Sequence, residues 1–264
     1  MKKYFVIGNP IDHSLSPKLH NNWLKKNNIN ATYDKIKLEE QEIKNFIQDI
    51  KKQKIAGCNV TVPFKKAVIP FLDKLSPESE ATQSVNTIIF DNNVLVGHNT
   101  DIAGFNSAIK KLNFNLKSKK IFILGAGGVV PSIIFALKNM NVSEIIISNR
   151  TIEKAENLKI LFNGLKVLKW GNVPDFDVVI NATSLGLNKE VINLDFSNSG
   201  RDNLFYDVIY NPSETYFLKK GKELGNKIEN GKTMFIYQAL EAFKLWHNLE
   251  PEINKDTLKL LEND

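Results

Sequence analysis

The chain has few of the residues that form crosslinks or bind metals. It carries one cysteine, Cys58, among 264 residues, so no disulfide can form within it. Because such a protein is suited to a reducing compartment, we expect it to act in the cytoplasm. Its four histidines, His13, His20, His98 and His247, do not have the spacing of metal ligands, and we therefore predict no metal site.

The sequence also lacks long hydrophobic runs. No apolar stretch approaches the roughly 20 residues that a membrane-spanning helix needs, and the run after the N-terminal lysines is too short for a signal peptide. Hydrophobic residues make up 42% of the chain and charged residues 24%, which is typical of soluble globular proteins. We expect no association with a membrane.

The charge balance is basic, with a formal net charge of +6. A basic protein can bind nucleic acid, but here the lysines are spread over amphipathic segments, without a stripe that alternates with aromatic residues. An enzyme for small anionic molecules accounts for the charge equally well. We therefore predict a small-molecule substrate and no nucleic-acid partner, and leave monomer and homodimer as alternatives.

Predicted strands and helices alternate along the chain, which is typical of an α/β protein. Strands are predicted over 3–8, 31–37, 119–124, 144–148, 166–170, 176–180 and 204–208, and a hairpin over 85–96. Helices are predicted from Ser16, as N-cap before Pro17, and over 39–52, 66–75, 102–112, 151–162 and 233–247.

Residues 57–66 read GCNVTVPFKK. Two valines alternate with Asn59 and Thr61, which predicts a strand with one apolar and one polar face. Pro63 ends the strand because it has no N–H to donate. An amide, a hydroxyl and the ammonium of Lys65 are thereby directed to one place beyond a buried strand.

Residues 125–128 read GAGG, between a predicted strand and a helix that runs through Met140. Glycines permit a tight turn and close backbone approach, and the helix N-terminus offers free N–H groups to a pyrophosphate. An ordinary strand–helix turn can have the same residues, and Val130 stands at the third small position of the motif.

The end of the next strand favours NADP over NAD. At about the distance where NAD-binding proteins place an acidic residue for the ribose, the chain has Ser148-Asn149-Arg150-Thr151. Arginine pairs with a 2′-phosphate and stacks on adenine, whereas a carboxylate would repel the phosphate. The two segments predict a Rossmann-type, doubly wound parallel sheet that binds NADP, and they count against a methyltransferase.

These segments, with others in the same order, resemble the shikimate dehydrogenase family. The other segments are Gly8–Pro10, Ser14–Pro17, Ser84–Thr87, Asn99–Asp101, Asn181–Ser184, Tyr206–Pro212 and Gln238–Ala239. The resemblance covers nearly the whole chain, and the combination is specific although each piece is modest. Members of this family reduce 3-dehydroshikimate to shikimate with NADPH, on the pathway to aromatic amino acids.

The resemblance implies two α/β domains with the active site in the cleft between them. Residues 1–101 plus 235–264 would form the substrate-binding catalytic domain, and residues 102–234 the NADP-binding Rossmann domain. Val129-Val130-Pro131 stands where relatives often have small residues and a basic one, and position 154 is lysine rather than the frequent arginine. These departures bear on the strength of cofactor binding.

The resemblance also implies the site residues. Lys65 would give a proton to the substrate as the hydride arrives, and Asp101 would orient its ammonium. Lys66 is interpreted as an ordinary solvated lysine. Substrate contacts would be Ser14, Ser16, Asn59, Thr61, Asn86, Tyr210 and Gln238. Cofactor contacts would be Gly125, Ala126, Gly127, Gly128, Val129, Asn149, Arg150, Thr151, Lys154, Thr183, Val208 and Gly231.

Two other functions are compatible with part of this pattern. The first is a quinate/shikimate dehydrogenase that also accepts NAD. Ile152 argues against it, because relatives that use NAD tend to carry an acidic residue just after the Asn-Arg pair, although Glu153 is close. The second is a non-catalytic nucleotide-binding module, against which the presence of Lys65 with Asp101 argues.

Overall fold

A computed structural model of the chain describes residues 1–188 and 190–261. Lys189 and residues 262–264, which fall within the predicted domains 102–234 and 235–264, lie outside the described residues. The chain divides into two compact units, the first Met1–Gly104 with Ile236–Asp264 and the second Phe105–Phe235. Each unit contains its own β-sheet flanked by helices, which confirms the predicted α/β class.

The first unit has a mixed sheet. Its strands are β1 (Lys2–Gly8), β2 (Ala31–Lys37), β3 (Gly57–Val60), β4 (Lys74–Leu75), β5 (Thr87–Asp91) and β6 (Val94–His98). Its helices are α1 (Ser16–Lys26), α2 (Ile43–Lys51), α3 (Pro77–Thr82) and the start of α4 (Asp101–Leu112). The strand order is β2-β1-β3-β5-β6-β4, with β1 parallel to both neighbours and β5 antiparallel to both of its own.

The predicted hairpin is confirmed as β5 and β6. Asn92 and Asn93 form its turn with φ values of 48° and 64°. Asparagine tolerates this left-handed region, and two successive residues there match the twist of the strands. The hairpin places residues 84–87 and 98–101 side by side, since Asn86 N–H donates to the carbonyl of His98 at 3.0 Å.

Three predictions for the first unit are wrong in detail. Residues 66–75 form turns, a short 3₁₀ helix at Ile69–Phe71 and strand β4, because Pro70 interrupts an α-helix and β6 offers β4 an edge. Ser16 is the first residue of α1 and not its cap; Leu15 occupies that position. Strand β3 ends at Val60, and Val62 is 48% exposed, because the chain turns at Thr61.

The second unit is built on a sheet of parallel strands. They are β7 (Lys120–Leu124), β8 (Glu144–Asn149), β9 (Leu165–Lys169), β10 (Val178–Asn181), β11 (Leu204–Asp207) and β12 (Lys227–Glu229). Its helices are the rest of α4, α5 (Val130–Asn139), α6 (Ile152–Leu161) and α7 (Tyr216–Glu223). The predicted strands of this unit are confirmed to within two residues at each end.

The strand order β12-β11-β10-β7-β8-β9 confirms the doubly wound topology. The chain leaves β7 toward β8 and β9 and then returns to the other side of β7 with β10, so the switch point lies between β7 and β10. Ile123, Val179 and Phe205 have no exposed surface, and burying each such side chain stabilises the fold by about 1.5–3 kcal/mol.

The C-terminal segment contains α8 (Lys232–His247) and α9 (Lys255–Leu260). From Ile236 onward it belongs to the first unit. There the Trp246 indole donates to the carbonyl of Ile88 at 3.1 Å and covers Gly57, whose place a larger residue could not take: a Cβ would lie 2.5 Å from Trp246 Nε1. Among the described residues, no helix is both long and apolar enough to cross a membrane.

Candidate active site

The most distinctive charged pair of the first unit is Lys65 with Asp101. A turn closed by the bond from Phe64 N–H to the Thr61 carbonyl, 2.9 Å, directs the chain inward after β3. Lys65 Nζ then lies 2.5 Å from Asp101 Oδ2, with the two side chains only 10% and 8% exposed. Lys66 is exposed. The structure thus separates two adjacent lysines into a buried, paired one and a solvated one.

Asp101 is held on both carboxylate oxygens. While Lys65 contacts Oδ2, the Asn86 amide donates to Oδ1 at 2.9 Å. The Asp101 main-chain N–H donates to Asn99 Oδ1 at 3.2 Å at the start of α4, where the helix dipole favours a negative charge. The carboxylate is therefore fixed before any ligand binds.

The Asn86 amide is the hub of this arrangement. Its oxygen accepts from the Thr100 N–H at 2.7 Å, and its nitrogen lies 3.4 Å from Gln238 Oε1 on α8. Asn86 and Asp101 are nearly fully buried, whereas Gln238 is half-buried. The C-terminal helix therefore contributes an amide at the edge of the Lys65–Asp101 pair.

Asn59 lies on β3, which pairs with β5 on the side opposite β6. Its two amide hydrogens go to the carbonyl of Asn86 and the hydroxyl of Thr87, at 3.1 and 2.9 Å. Its oxygen accepts from the Tyr33 hydroxyl at 2.6 Å. One lone pair on that oxygen is left for a ligand, so Asn59 can accept a hydrogen bond but has no amide hydrogen to give.

Most of the predicted substrate residues thus belong to one unit, and hydrogen bonds connect several of them. Ser14 and Thr61 are half-buried, and Ser16, at the start of α1, is buried. Tyr210 belongs to the second unit, where its ring stacks on Phe235 with centroids 4.5 Å apart. The first unit offers an ammonium, amides and hydroxyls, which is the chemistry that binds a small polyhydroxylated acid.

The predicted phosphate cradle follows β7 in the second unit. Gly125 has a φ of +107°, and a Cβ there would lie 2.8 Å from the Ala182 carbonyl, so only glycine fits. Helix α5 begins just beyond, with Val129 as a cap that offers no side-chain hydrogen bond. Its first turn carries no acidic residue that would repel a phosphate.

Arg150 follows the end of the neighbouring strand β8. Gly125 N–H donates to the Ser148 carbonyl at 2.8 Å, so the glycine turn and the β8 end are adjacent. Arg150, Thr151 and Lys154 are exposed, and the Asn149 amide donates to the Thr151 carbonyl at 2.6 Å. Arg150 therefore stands in solvent close to the turn, and Lys154, in the first turn of α6, is also exposed.

On the other side of β7, the segments that follow β10, β11 and β12 carry the remaining predicted cofactor residues, Thr183, Val208 and Gly231. The Thr183 hydroxyl donates to Asn181 Oδ1 at 2.7 Å. Gly231 approaches the main chain of Val208 so closely that a Cβ would lie 2.1 Å from its carbonyl oxygen. All these groups lie at the carboxyl edge of one parallel sheet, where α/β proteins bind nucleotides.

Comparison with known proteins identifies the family. The substrate-binding domain model of shikimate dehydrogenase matches residues 6–88, and the model described as shikimate/quinate 5-dehydrogenase matches residues 106–200. A shikimate dehydrogenase (NADP⁺) of Pelagibacter ubique is 55% identical over 99% of this chain and 100% of its own. The chain belongs to the shikimate dehydrogenase family.

Solved members of the shikimate dehydrogenase family share the fold. The Thermus thermophilus enzyme, in complex with NADP(H) and shikimate, is 30% identical, with a TM-score of 0.88 over 99% of this chain and 98% of that one. The Listeria monocytogenes enzyme, in complex with shikimate and NAD, is 29% identical, with a TM-score of 0.88 over 99% of this chain and 96% of that one.

The residues of the second unit fit the cofactor of the family. A dinucleotide needs a cradle without side chains for its pyrophosphate, and Gly125 with the α5 N-terminus supplies one. A 2′-phosphate needs cationic donors in place of a carboxylate, and Arg150 after β8 and Lys154 in the first turn of α6 are both exposed. Fully buried Val130 at the third motif position packs inward and leaves the turn open.

Sequence reasoning assigned no role to Asp207, at the end of β11. It is fully buried and accepts from the Thr215 hydroxyl at 2.6 Å, from the Ile209 N–H at 3.0 Å and from the Asn181 amide at 3.0 Å. Burial raises the pKa of Asp207 to about 6, against the opposing effect of these bonds. The sequence signal for Asp207 was a carboxylate within the apolar run LFYDVI. Asp207 anchors the segment that carries Val208 and Tyr210.

Proposed function

We propose that this protein is an NADP-dependent shikimate dehydrogenase, which catalyses the reversible reduction of 3-dehydroshikimate to shikimate in aromatic amino-acid biosynthesis. The observation that carries the proposal is the buried pair of Lys65 and Asp101, 2.5 Å apart, in the unit that matches the family's substrate-binding domain. A buried ammonium that is held by a fixed carboxylate is suited to exchanging a proton with a substrate hydroxyl.

The reaction needs one proton for each hydride. When bound, NADPH would supply the hydride for the carbonyl carbon, and the substrate oxygen would gain negative charge. We assign to Lys65 Nζ the proton that this oxygen takes up, which leaves a neutral amine that regains a proton from solvent. In shikimate oxidation the same amine would remove the hydroxyl proton. Such proton transfer contributes about 10²–10⁴-fold to the rate.

Asp101 and Asn86 would serve the lysine and the substrate together. Asn86 holds Asp101 Oδ1 and leaves Oδ2 to Lys65, so the ammonium is directed before substrate binds. The Asp101 carboxylate would also accept from a substrate hydroxyl. The remaining substrate contacts that we propose are Ser14, Ser16, Asn59, Thr61, Tyr210 and Gln238, with Asn59 accepting through its one available lone pair.

NADP would bind along the carboxyl edge of the sheet in the second unit. The turn of Gly125 to Val129 would hold the pyrophosphate against the start of α5. Asn149, Arg150, Thr151 and Lys154 would contact the adenosine with its 2′-phosphate. On the other side of β7, Thr183, Val208 and Gly231 would border the nicotinamide, since a dinucleotide extends across the switch point.

We retain the predicted assignment of residues 1–101 plus 235–264 to the substrate and of 102–234 to NADP. The match of residues 6–88 to the family's substrate-binding domain supports the first assignment. We also propose a cytoplasmic location, because the single cysteine is buried and unpaired. A monomer and a homodimer are both compatible, and light scattering on the purified protein distinguishes them.

Shikimate oxidation is the direct test. The purified protein is mixed with shikimate and NADP, and NADPH is followed by its absorbance. We expect turnover with this pair and a kcat/KM at least about tenfold lower with NAD, since NAD lacks the phosphate that Arg150 would bind. No turnover with shikimate and either cofactor would refute the proposed function.

A quinate/shikimate dehydrogenase is the second candidate. The family model that matches residues 106–200 is described for both substrates, which favours keeping it. Ile152 argues against NAD as the cofactor. It is 39% exposed at a position where relatives that use NAD tend to carry an acidic residue. Quinate with NAD, assayed beside shikimate with NADP, decides between the two.

A further inference from the structure

Tyr33 is fixed on two sides by helix α1. It lies in the middle of β2, is 3% exposed, and its ring stacks on His20 with centroids 4.2 Å apart and an interplanar angle of 4°. Its main chain is bound by the Asn21 amide, which donates to the Tyr33 carbonyl at 2.7 Å and accepts from its N–H at 3.0 Å. Both ring and backbone are therefore held before any ligand arrives.

The Tyr33 hydroxyl connects two different elements. It donates to Asn59 Oδ1 at 2.6 Å, at the end of β3. This bond joins β2 to β3, which are not neighbours in the sheet because β1 lies between them.

The Tyr33 phenol stays protonated, and is therefore a hydrogen-bond donor, over the whole pH range in which the protein would work. Burial raises the pKa of Tyr33 well above its usual value, and Cys58 acts in the same direction. A protonated phenol that donates to Oδ1 fixes the Asn59 amide with its nitrogen toward Asn86 and Thr87. The reversed amide would place an acceptor against the Asn86 carbonyl.

We propose that Tyr33 is a positioning residue for the substrate, whose hydroxyl holds the Asn59 amide in the orientation that binds shikimate. The inference rests on the proposed function, because Asn59 is one of its substrate contacts. Tyr33 itself does not touch the substrate. It acts through the Asn59 side chain.

The test is Tyr33→Phe, which removes one oxygen atom. The matched control is Tyr4→Phe: Tyr4 pairs with Tyr33 across β1 and β2, is equally buried, and packs on Trp246 and His247. For Tyr33→Phe we expect the KM for shikimate to rise about three- to tenfold, the range for one lost hydrogen bond. The kcat and the KM for NADP should stay within about twofold, as should every constant of Tyr4→Phe.

A double-mutant cycle separates positioning from general loosening. If Tyr33 acts through Asn59, Tyr33→Phe should raise the KM for shikimate much less in an Asn59→Ala background than in the wild type. Equal effects in both backgrounds, or equal KM values for Tyr33→Phe and Tyr4→Phe, would overturn the inference. A wild-type protein that does not oxidise shikimate would instead refute the proposed function.

Asn21→Ala provides a second variant should Tyr33→Phe not fold. Asn21 is exposed on α1 and clamps the Tyr33 main chain without entering the site. Releasing this clamp should raise the KM for shikimate in the same direction, about twofold or more, and leave the KM for NADP unchanged. An unchanged KM for shikimate in this variant contradicts the inference.

Discussion

The two units build their candidate sites from different parts of the chain. In the first unit the site consists of side chains that bond to one another, with Asp101 held by Lys65 on one oxygen and by Asn86 on the other. In the second unit it consists largely of main chain at strand ends, where Gly125 and Gly231 admit no Cβ. Side chains bind the separate hydroxyl and carboxylate groups of a polyhydroxylated acid, whereas backbone N–H groups bind a pyrophosphate.

The units also differ in their buried titratable groups. In the first, burial lowers the pKa of His20 to about 3, with a further contribution from His247. In the second, burial raises the pKa of Asp207 to about 6. The contribution of neutral His20 to the stability of the fold is lost as the pH falls from about 6.5. The contribution of the protonated Asp207 carboxyl is lost as the pH rises through about 6. These two buried groups therefore respond to pH in opposite directions.

The largest effect should come from the side-chain site. Lys65→Ala should lower kcat and kcat/KM by about 10²–10⁴-fold with little change in KM, because the proton donor is lost. Lys66→Ala, the matched control on the exposed neighbour, should stay near wild type. Steady-state kinetics of shikimate oxidation measure both.

Lys65→Arg tests whether position 65 exchanges a proton or supplies only positive charge. Arginine keeps the charge beside Asp101 but, with a pKa above about 12, exchanges protons poorly. We expect a kcat as low as that of the alanine variant. A near-normal kcat would mean that position 65 supplies only positive charge and that the proton comes from another group.

In the second unit the largest side-chain effect should come from Arg150. Arg150→Ala should raise the KM for NADP at least about tenfold and leave that for NAD nearly unchanged, because only NADP carries the 2′-phosphate. Arg201→Ala, which removes an exposed arginine of the same unit, is the control. Equal losses for both cofactors would show that Arg150 does not read the phosphate.

Asp207→Asn tests how the buried Asp207 carboxyl makes stability depend on pH. The folded pKa of Asp207 is above its unfolded value of 3.8, so its contribution to stability is complete below pH 4 and is lost as the pH rises through about 6. Asparagine avoids this loss. Denaturant unfolding should show the variant gaining on the wild type between pH 4 and pH 7, by up to about 3 kcal/mol.

Asp177→Asn is the control of opposite sign. Burial, which raises the pKa of Asp177, is outweighed by hydrogen bonds from the Lys120 N–H and the Lys119 ammonium, so the pKa is lowered. This variant should therefore lose stability relative to the wild type as the pH rises from 3 to 5. The same pH slope for both variants would contradict the difference between the two carboxyl groups.

The smallest effect should come from Gln238. Its amide lies at the Asn86 hub, so Gln238→Ala should weaken shikimate binding by a few-fold, as for one hydrogen bond, and leave NADP affinity unchanged. Gln48→Ala, an exposed helical glutamine of α2, is the control. A loss confined to NADP would assign the C-terminal helix to cofactor binding.

The second unit could be predicted closely because local signals and tertiary structure agree there. The apolar runs at 119–124 and 144–148 are strands buried on both faces, and GAGG falls where a turn without side chains is needed. Parallel strands that are covered by helices appear in the sequence as continuous hydrophobic segments. Their order along the chain therefore nearly determines the topology of the sheet.

The first unit could be predicted less well because distant contacts override local pattern. Residues 66–75 have apolar spacing suited to a helix, but Asp73 instead accepts from the Leu95 N–H at 2.9 Å and aligns the chain with β6. Ser16 is a residue type that often caps a helix, yet it is the first residue of α1 and Leu15 occupies the cap position. Tyr33 itself carries no motif, and only its position in three dimensions singles it out.

The placement of Trp246 over Gly57 has a spectroscopic consequence. Of the three tryptophans, Trp23 and Trp246 belong to the first unit and Trp170 to the second. Because the Trp246 indole is bonded to the Ile88 carbonyl, its emission should shift to longer wavelength when the C-terminal segment leaves the sheet and water reaches the ring. A Trp170→Phe variant would make intrinsic fluorescence a reporter of the first unit alone.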